Sequence, residues 1–176
     1  MKIVLIGYRC TGKTSVGKIV SERFHLPFYD TDEVMFEQTG KTCKAIVDEQ
    51  GWPAFRRFEK EIIRDLKSTQ AVIAPGGGAV MDEENAAMLK ENGLVVWLKA
   101  DPLTIAQRLQ KDTATSELRP SLTGNKDATA EIVEVLTVRT PVYQRHSDFT
   151  IDTTVLSIDE VASQLCAYLE ERFPKG

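Results

Sequence analysis

Gly7-Tyr8-Arg9-Cys10-Thr11-Gly12-Lys13-Thr14 fits the pattern G-x-x-x-x-G-K-[ST]. The run before it, Lys2 to Ile6, is apolar on both faces and predicts a buried strand, and Lys13 to Phe24 has a helical pattern. A strand, a glycine-rich turn and a helix in this order bring backbone N–H groups and the positive end of a helix dipole to one point. The stretch therefore predicts a loop that binds nucleotide phosphates.

Two side chains of this phosphate loop have a predicted role. Lys13 is expected to bridge the β- and γ-phosphates, and the Thr14 hydroxyl to ligate Mg²⁺. A glycine turn with a chance lysine would not account for the flanking strand and helix. The loop does not identify the acceptor, because kinases, ATPases and GTPase switches share it. The residues of this region predicted to bind ATP are Gly7, Arg9, Cys10, Thr11, Gly12, Lys13, Thr14 and Ser15.

The rest of the chain alternates apolar runs with amphipathic stretches. Apolar runs occur at 71–74, 94–98 and 149–151, after a short strand that ends near Tyr29, and helical patterns occur at 82–92, 102–111, 126–145 and 157–172. This alternation predicts an α/β fold of three layers, a parallel sheet with helices on both faces. Residues 31–68 contain an additional helical subregion, and 112–125, rich in small polar residues, form a candidate lid.

Length and composition restrict the function classes. A chain of 176 residues fits one domain, and its net charge of −4 argues against general nucleic-acid binding. The five-residue apolar run at the start is too short for a signal peptide or a membrane span, so we expect a cytoplasmic protein without a membrane partner. The widely spaced Cys10, Cys43 and Cys166 indicate reduced thiols. A monomer is the default expectation.

Two carboxylates follow the second predicted strand, at the sheet edge where ligands bind in such folds. One of Asp30 and Asp32 is suited to support the Mg²⁺ shell, and the other to accept the proton of an attacking hydroxyl. Taken alone, the same residues are equally suited to cap the next helix.

Glycines and arginines add candidate contacts for an anionic acceptor. Gly76-Gly77-Gly78 also follows a strand, where bare backbone N–H groups suit an oxygen ligand, although a flexible turn is the alternative. A bidentate guanidinium suits a carboxylate, and an arginine on a closing loop can neutralise charge during phosphoryl transfer. Most helical arginines are simply solvated. The arginines considered are Arg56, Arg57, Arg119 and Arg139.

These motifs together resemble shikimate kinase in order and spacing, over essentially the whole chain. They are the phosphate loop, Asp30-Thr31-Asp32, Phe55-Arg56-Arg57-Phe58-Glu59, Gly76-Gly77-Gly78-Ala79-Val80, Leu118-Arg119-Pro120 and Arg139-Thr140-Pro141-Val142-Tyr143. The resemblance implies a five-stranded parallel sheet, with MgATP and shikimate as substrates in aromatic amino acid biosynthesis.

The resemblance also implies roles for individual residues. The shikimate-binding set would be Asp32, Arg56, Gly76, Gly77, Gly78 and Arg139, with Glu59 orienting Arg56. The catalytic residues would be Lys13, Asp32 as the base and Arg119 on the lid. Asp30 would support the magnesium ion through water, and Arg108 would lie along the adenine ring.

Some positions depart from the family pattern. Cys10 replaces a usual glycine and is tolerable there if its φ is negative. Trp52 replaces a frequent glutamate, and Pro75 precedes the glycine triplet; both are expected to border the acceptor pocket.

Two other functions remain as alternatives. A kinase for gluconate or a nucleoside monophosphate would share the loop and lid. A GTPase switch is disfavoured because Asn125-Lys126-Asp127 lacks the N-K-x-D spacing, with Ala128 where the aspartate belongs. A degenerate nucleotide-binding module without catalysis is the second alternative.

Overall fold

The computed structural model describes residues 1–112, 122 and 127–174. The strands are Lys2–Ile6 (β1), Phe28–Asp30 (β2), Val72–Ala74 (β3), Gly93–Lys99 (β4) and Phe149–Asp152 (β5). The helices are Lys13–Phe24 (α1), Thr31–Thr39 (α2), Cys43–Leu66 (α3), Glu83–Lys90 (α4), Pro102–Lys111 (α5), Ala128–His146 (α6) and Ile158–Arg172 (α7), with a 3₁₀ turn at Ala79–Met81. The candidate lid lies outside the described residues apart from Asp112 and Leu122.

The strands form one parallel sheet in the order β2-β3-β1-β4-β5. The predicted α/β fold with a five-stranded parallel sheet is confirmed. Since β1 is central, the loop that follows it lies at the middle of the carboxyl edge, where ligands bind in doubly wound sheets.

The alternating side chains of β1 divide the core between the two sheet faces. Ile3 and Leu5 pack with residues of α1 and α7. Val4 and Ile6 pack with residues of α2, α3, α4 and α6. Every residue of β1 is buried, as expected for a strand covered on both faces. Among the described residues, no helix is long and apolar enough to cross a membrane.

The helical subregion contains a break that the helical pattern of residues 31–68 did not predict. At Gly51 the backbone has φ 79° and ψ 168°, so α3 consists of two helical parts. Pro53 then lies in the first turn of the second part, where proline costs no hydrogen bond. This second part carries Arg56 and Glu59, which line a cavity together with the glycines that follow β3.

Candidate active site

The phosphate loop is folded tightly between β1 and α1. Gly7 has φ 143°, and a Cβ there would lie 3.0 Å from Thr11 Oγ1 and collide with the Leu98 carbonyl oxygen. The Thr11 hydroxyl donates to the Tyr8 carbonyl at 2.9 Å. Lys13 Nζ donates to the carbonyls of Gly7 and Tyr8 at 3.0 and 2.9 Å. The loop therefore places an ammonium group at the start of α1.

Cys10 does not meet the condition under which a cysteine is tolerated in this loop without strain. Its φ is +59° rather than negative. The left-handed conformation costs a non-glycine residue about 1–2 kcal/mol. Closure of the loop imposes this conformation despite the local preference of the residue.

We expect Cys10→Gly to raise the free energy of unfolding by about 0.5–1 kcal/mol, because relief of the strain exceeds the added chain entropy of glycine. Urea denaturation measures this. Cys10→Ala is the matched control, since it removes the thiol but keeps the Cβ. Equal stability of the two variants would contradict strain as the cause.

Asp30 caps the next helix and also contacts Thr14, the residue predicted to ligate Mg²⁺. Its Oδ1 accepts from the Asp32 N–H at 3.0 Å, which caps α2, and its Oδ2 accepts from the Thr14 hydroxyl at 2.7 Å. The capping interpretation is thus confirmed. The oxygen atoms of the Thr14 hydroxyl and the Asp30 carboxylate lie next to each other, beside Lys13. Such a pair suits Mg²⁺, because this ion typically keeps several waters and takes few protein ligands.

The glycine triplet is held by two residues that the sequence analysis assigned no role. The Gly76 N–H donates to Thr31 Oγ1 at 3.0 Å, and the buried Tyr143 hydroxyl donates to the Gly77 carbonyl at 2.5 Å. Burial raises the pKa of Tyr143 to about 12, which keeps this hydroxyl a donor. The signals in the sequence were Thr31 between two aspartates and Tyr143 at the end of R-x-P-x-Y. The triplet is therefore held from both sides rather than being a free turn.

The guanidinium of Arg56 is oriented by a buried carboxylate. Arg56 Nη1 lies 2.5 Å from Glu59 Oε2, and Glu59 is buried. Burial raises the pKa of Glu59, and the charge of Arg56 opposes that rise. The Arg56 guanidinium also lies 5.4 Å from the centroid of the Trp52 ring. The implied pairing of Glu59 with Arg56 is present.

Arg56 and Arg139 converge on the glycine triplet. A Cβ built at Gly78 would lie 2.5 Å from Arg56 Nη2 and 3.2 Å from Arg139 Nη2. Both guanidinium groups can therefore lie this close to the backbone only because residue 78 has no side chain.

We expect Gly78→Ala to raise the KM for an anionic acceptor about tenfold, the equivalent of one charge-assisted hydrogen bond, because the added methyl displaces both arginines. Steady-state kinetics measures this. Gly40→Ala is the contrasting control: Gly40 has φ 66° and open space around it, so its variant should lose thermal stability and keep its KM. Unchanged KM in Gly78→Ala would disprove the contact.

The predicted site residues line two adjacent cavities. The first, the nucleotide cavity, is about 710 Å³ and is lined by Cys10, Gly12, Lys13, Thr14, Ser15, Asp30, Asp32, Pro75, Gly76 and Gly77, among others. The second, the acceptor cavity, is about 60 Å³ and is lined by Tyr8, Arg9, Asp32, Cys43, Trp52, Phe55, Arg56, Glu59, the glycine triplet, Leu122 and Arg139. Asp32 and the Gly76-Gly77 backbone line both, so the cavities meet there. Trp52 borders the acceptor cavity, as expected, whereas Pro75 lines the nucleotide cavity.

The remaining predicted residues lie around this pair of cavities. Arg108 donates to the Cys10 carbonyl at 3.3 Å and to the Thr153 carbonyl at 2.5 Å, so it connects the phosphate loop with the segment after β5. Of the neighbouring residues Arg56 and Arg57, only Arg56 lines the acceptor cavity. Arg119 lies outside the described residues, and its role stays a prediction.

Comparison with known proteins shows the family to which this chain belongs. The family model described as shikimate kinase matches residues 9–170. The chain belongs to the shikimate kinase family. It is 39% identical to the shikimate kinase of Syntrophus aciditrophicus over 171 residues, covering 93% of this chain and 88% of the relative. It is 37% identical to the shikimate kinase of Bacillus mycoides, with 96% of this chain and 98% of the relative covered.

A solved structure of another shikimate kinase has the same fold. The enzyme from Acinetobacter baumannii, solved in complex with shikimate, superposes with a TM-score of 0.88 at 28% identity, covering 99% of this chain and 95% of that one. The family membership inferred from the motifs is confirmed.

Proposed function

We propose that this chain transfers the γ-phosphoryl group of ATP to the 3-hydroxyl of shikimate, giving shikimate 3-phosphate. The observation that carries the proposal is the meeting of the two cavities at Asp32. A phosphate group bound by the phosphate loop and a hydroxyl group bound in the acceptor cavity would then both lie next to the Asp32 carboxylate. The acceptor cavity is small, so the acceptor ring occupies the junction as well.

The nucleotide side positions and neutralises the phosphate groups. The backbone from Gly7 to Ser15 binds the phosphates, Lys13 contacts the transferring group, and Arg108 lies along the adenine. Thr14 would hold Mg²⁺ directly and Asp30 through water, and the ion would neutralise charge on the phosphate oxygens. Electrostatic positioning of this kind supplies most of the catalysis in phosphoryl transfer.

The acceptor side recognises a carboxylate and ring hydroxyls. Arg56 and Arg139 bind the carboxylate, since two guanidinium groups converge beside the glycine triplet. Asp32 and the triplet backbone hold ring hydroxyls. The oxygen of the 3-hydroxyl attacks the γ-phosphorus, Asp32 accepts the proton of that hydroxyl, and ADP leaves. No phosphoenzyme is formed.

The proposal also covers the cellular location, the oligomeric state and the pathway of the enzyme. We place the enzyme in the cytoplasm, where proteins seldom form disulfide bonds, and the cysteines among the described residues form none. We expect it to act as a monomer in aromatic amino acid biosynthesis.

Release of ADP with four acceptors side by side tests this proposal. We expect rapid release of ADP with shikimate. With gluconate, AMP or CMP, the rate of ADP release should stay near the rate measured without any acceptor. Turnover with one of the other three and none with shikimate would overturn it. ADP release without any acceptor dependence would instead indicate an ATPase.

A further inference from the structure

An ion pair joins the phosphate loop to helix α6, far from it in the sequence. Arg9 Nη2 lies 3.2 Å from Glu131 Oε1, and the two side chains are only 13% and 10% exposed. The two residues are 122 positions apart in the sequence, so this is a tertiary contact. At such low exposure solvent screens the pair weakly, so removal of one charge has a larger effect than at a surface pair.

The second oxygen of the same carboxylate contacts a residue of the acceptor cavity. The Leu122 N–H donates to Glu131 Oε2 at 3.2 Å. Leu122 and Arg9 both line the acceptor cavity. One buried carboxylate thus fixes two separate parts of the cavity wall.

Arg9 is directed to the acceptor cavity, although the sequence suggested contact with ATP. It lines the acceptor cavity, whereas Cys10, the next residue, lines the nucleotide cavity. The Arg9 guanidinium lies 5.5 Å from the centroid of the Tyr8 ring, and that of Arg139 lies 5.9 Å from the same centroid. Two cations therefore share one aromatic ring, and they repel each other.

An anion beside Arg9 offsets this repulsion, and Glu131 supplies it, whereas Arg139 interacts with the Glu59 carboxylate. Burial raises the pKa of the Tyr8 phenol, so this ring stays neutral at physiological pH and supplies no negative charge. The Glu131 carboxylate offsets the charge of Arg9 directly at 3.2 Å. Without it, Arg9 would be driven away from Arg139 toward solvent.

We propose that Glu131 is a positioning residue that holds the Arg9 guanidinium at the acceptor cavity beside Arg139. The inference rests on the proposed function, in which this cavity binds the carboxylate of the acceptor. Glu131 acts through Arg9 and does not contact the reacting atoms.

Glu131→Gln is the decisive variant, because it keeps an oxygen for the Leu122 N–H and removes the charge that faces Arg9. We expect the KM for shikimate to rise about tenfold, while the KM for ATP and kcat change less than about threefold. Glu134→Gln is the matched control on the same helix, since Glu134 is exposed. It should leave all three constants unchanged.

A double-mutant cycle tests whether Glu131 acts through Arg9. In the Arg9→Met background, Glu131→Gln should change the KM for shikimate by less than twofold. An equal rise in both backgrounds, or the same KM in Glu131→Gln and Glu134→Gln, would overturn the proposal. Loss of thermal stability with an unchanged KM would assign Glu131 a structural role only.

A measurement without substrate separates this inference from the proposed function. The slowly exchanging Nη–H signals of Arg9, identified in ¹⁵N NMR spectra by their loss in Arg9→Met, should disappear in Glu131→Gln and persist in Glu134→Gln. If the unchanged protein does not turn over shikimate, the proposed function fails. If the Arg9 signals persist in Glu131→Gln, the positioning role fails whatever the acceptor.

Discussion

Lys13→Met is expected to lower turnover at least about a thousandfold, with the fold retained. The Lys13 ammonium is buried and held by the carbonyls of Gly7 and Tyr8, at the start of α1. Methionine has a similar length and no charge, so it removes the cation that we propose contacts the transferring phosphate. Loss of a single preorganised charge in phosphoryl transfer costs about 10³ or more in rate.

The controls for this variant separate chemistry from folding. Lys18→Met, at an exposed position of the same helix, should keep full activity. Thermal unfolding of Lys13→Met should stay cooperative. Activity of Lys13→Met within tenfold of the unchanged protein would remove Lys13 from the mechanism.

Asp32→Asn is expected to lower kcat by about 10²–10⁴ while leaving ATP affinity nearly unchanged. Asp32 lies at the junction of the two cavities, and asparagine keeps its size and removes its basicity. General base catalysis contributes about this factor. Steady-state kinetics together with calorimetric titration of ATP separates the two quantities.

The neutral comparison for Asp32→Asn is an exposed aspartate of α3. Asp65→Asn loses the same charge away from both cavities and should leave kcat unchanged. Full activity in Asp32→Asn would show that another group accepts the proton.

The fold could be predicted from the sequence because its signals are periodic and local. The buried strand Lys2–Ile6, the glycine turn and the amphipathic helix after it each have their own pattern, and their order dictates a parallel sheet. The break at Gly51 was missed, since its signal is a single residue within a helical repeat.

The site could be predicted only where a motif specifies side chains. Lys13, Asp32, Arg56 and the glycine triplet line the two cavities as their motifs imply. The direction of the Arg9 side chain depends on Glu131, which is distant in sequence and carries no local signal. The φ of Cys10 likewise follows from closure of the loop rather than from the residue itself.

Identification of the product by ³¹P and ¹H NMR, after reaction with ATP and shikimate, tests the central claim most directly. The proposed mechanism predicts a monophosphate ester whose phosphorus couples to the proton on C3 of shikimate, formed in equal amount to ADP. Inorganic phosphate as the only phosphorus product beside ADP, or an ester at another hydroxyl, would contradict it.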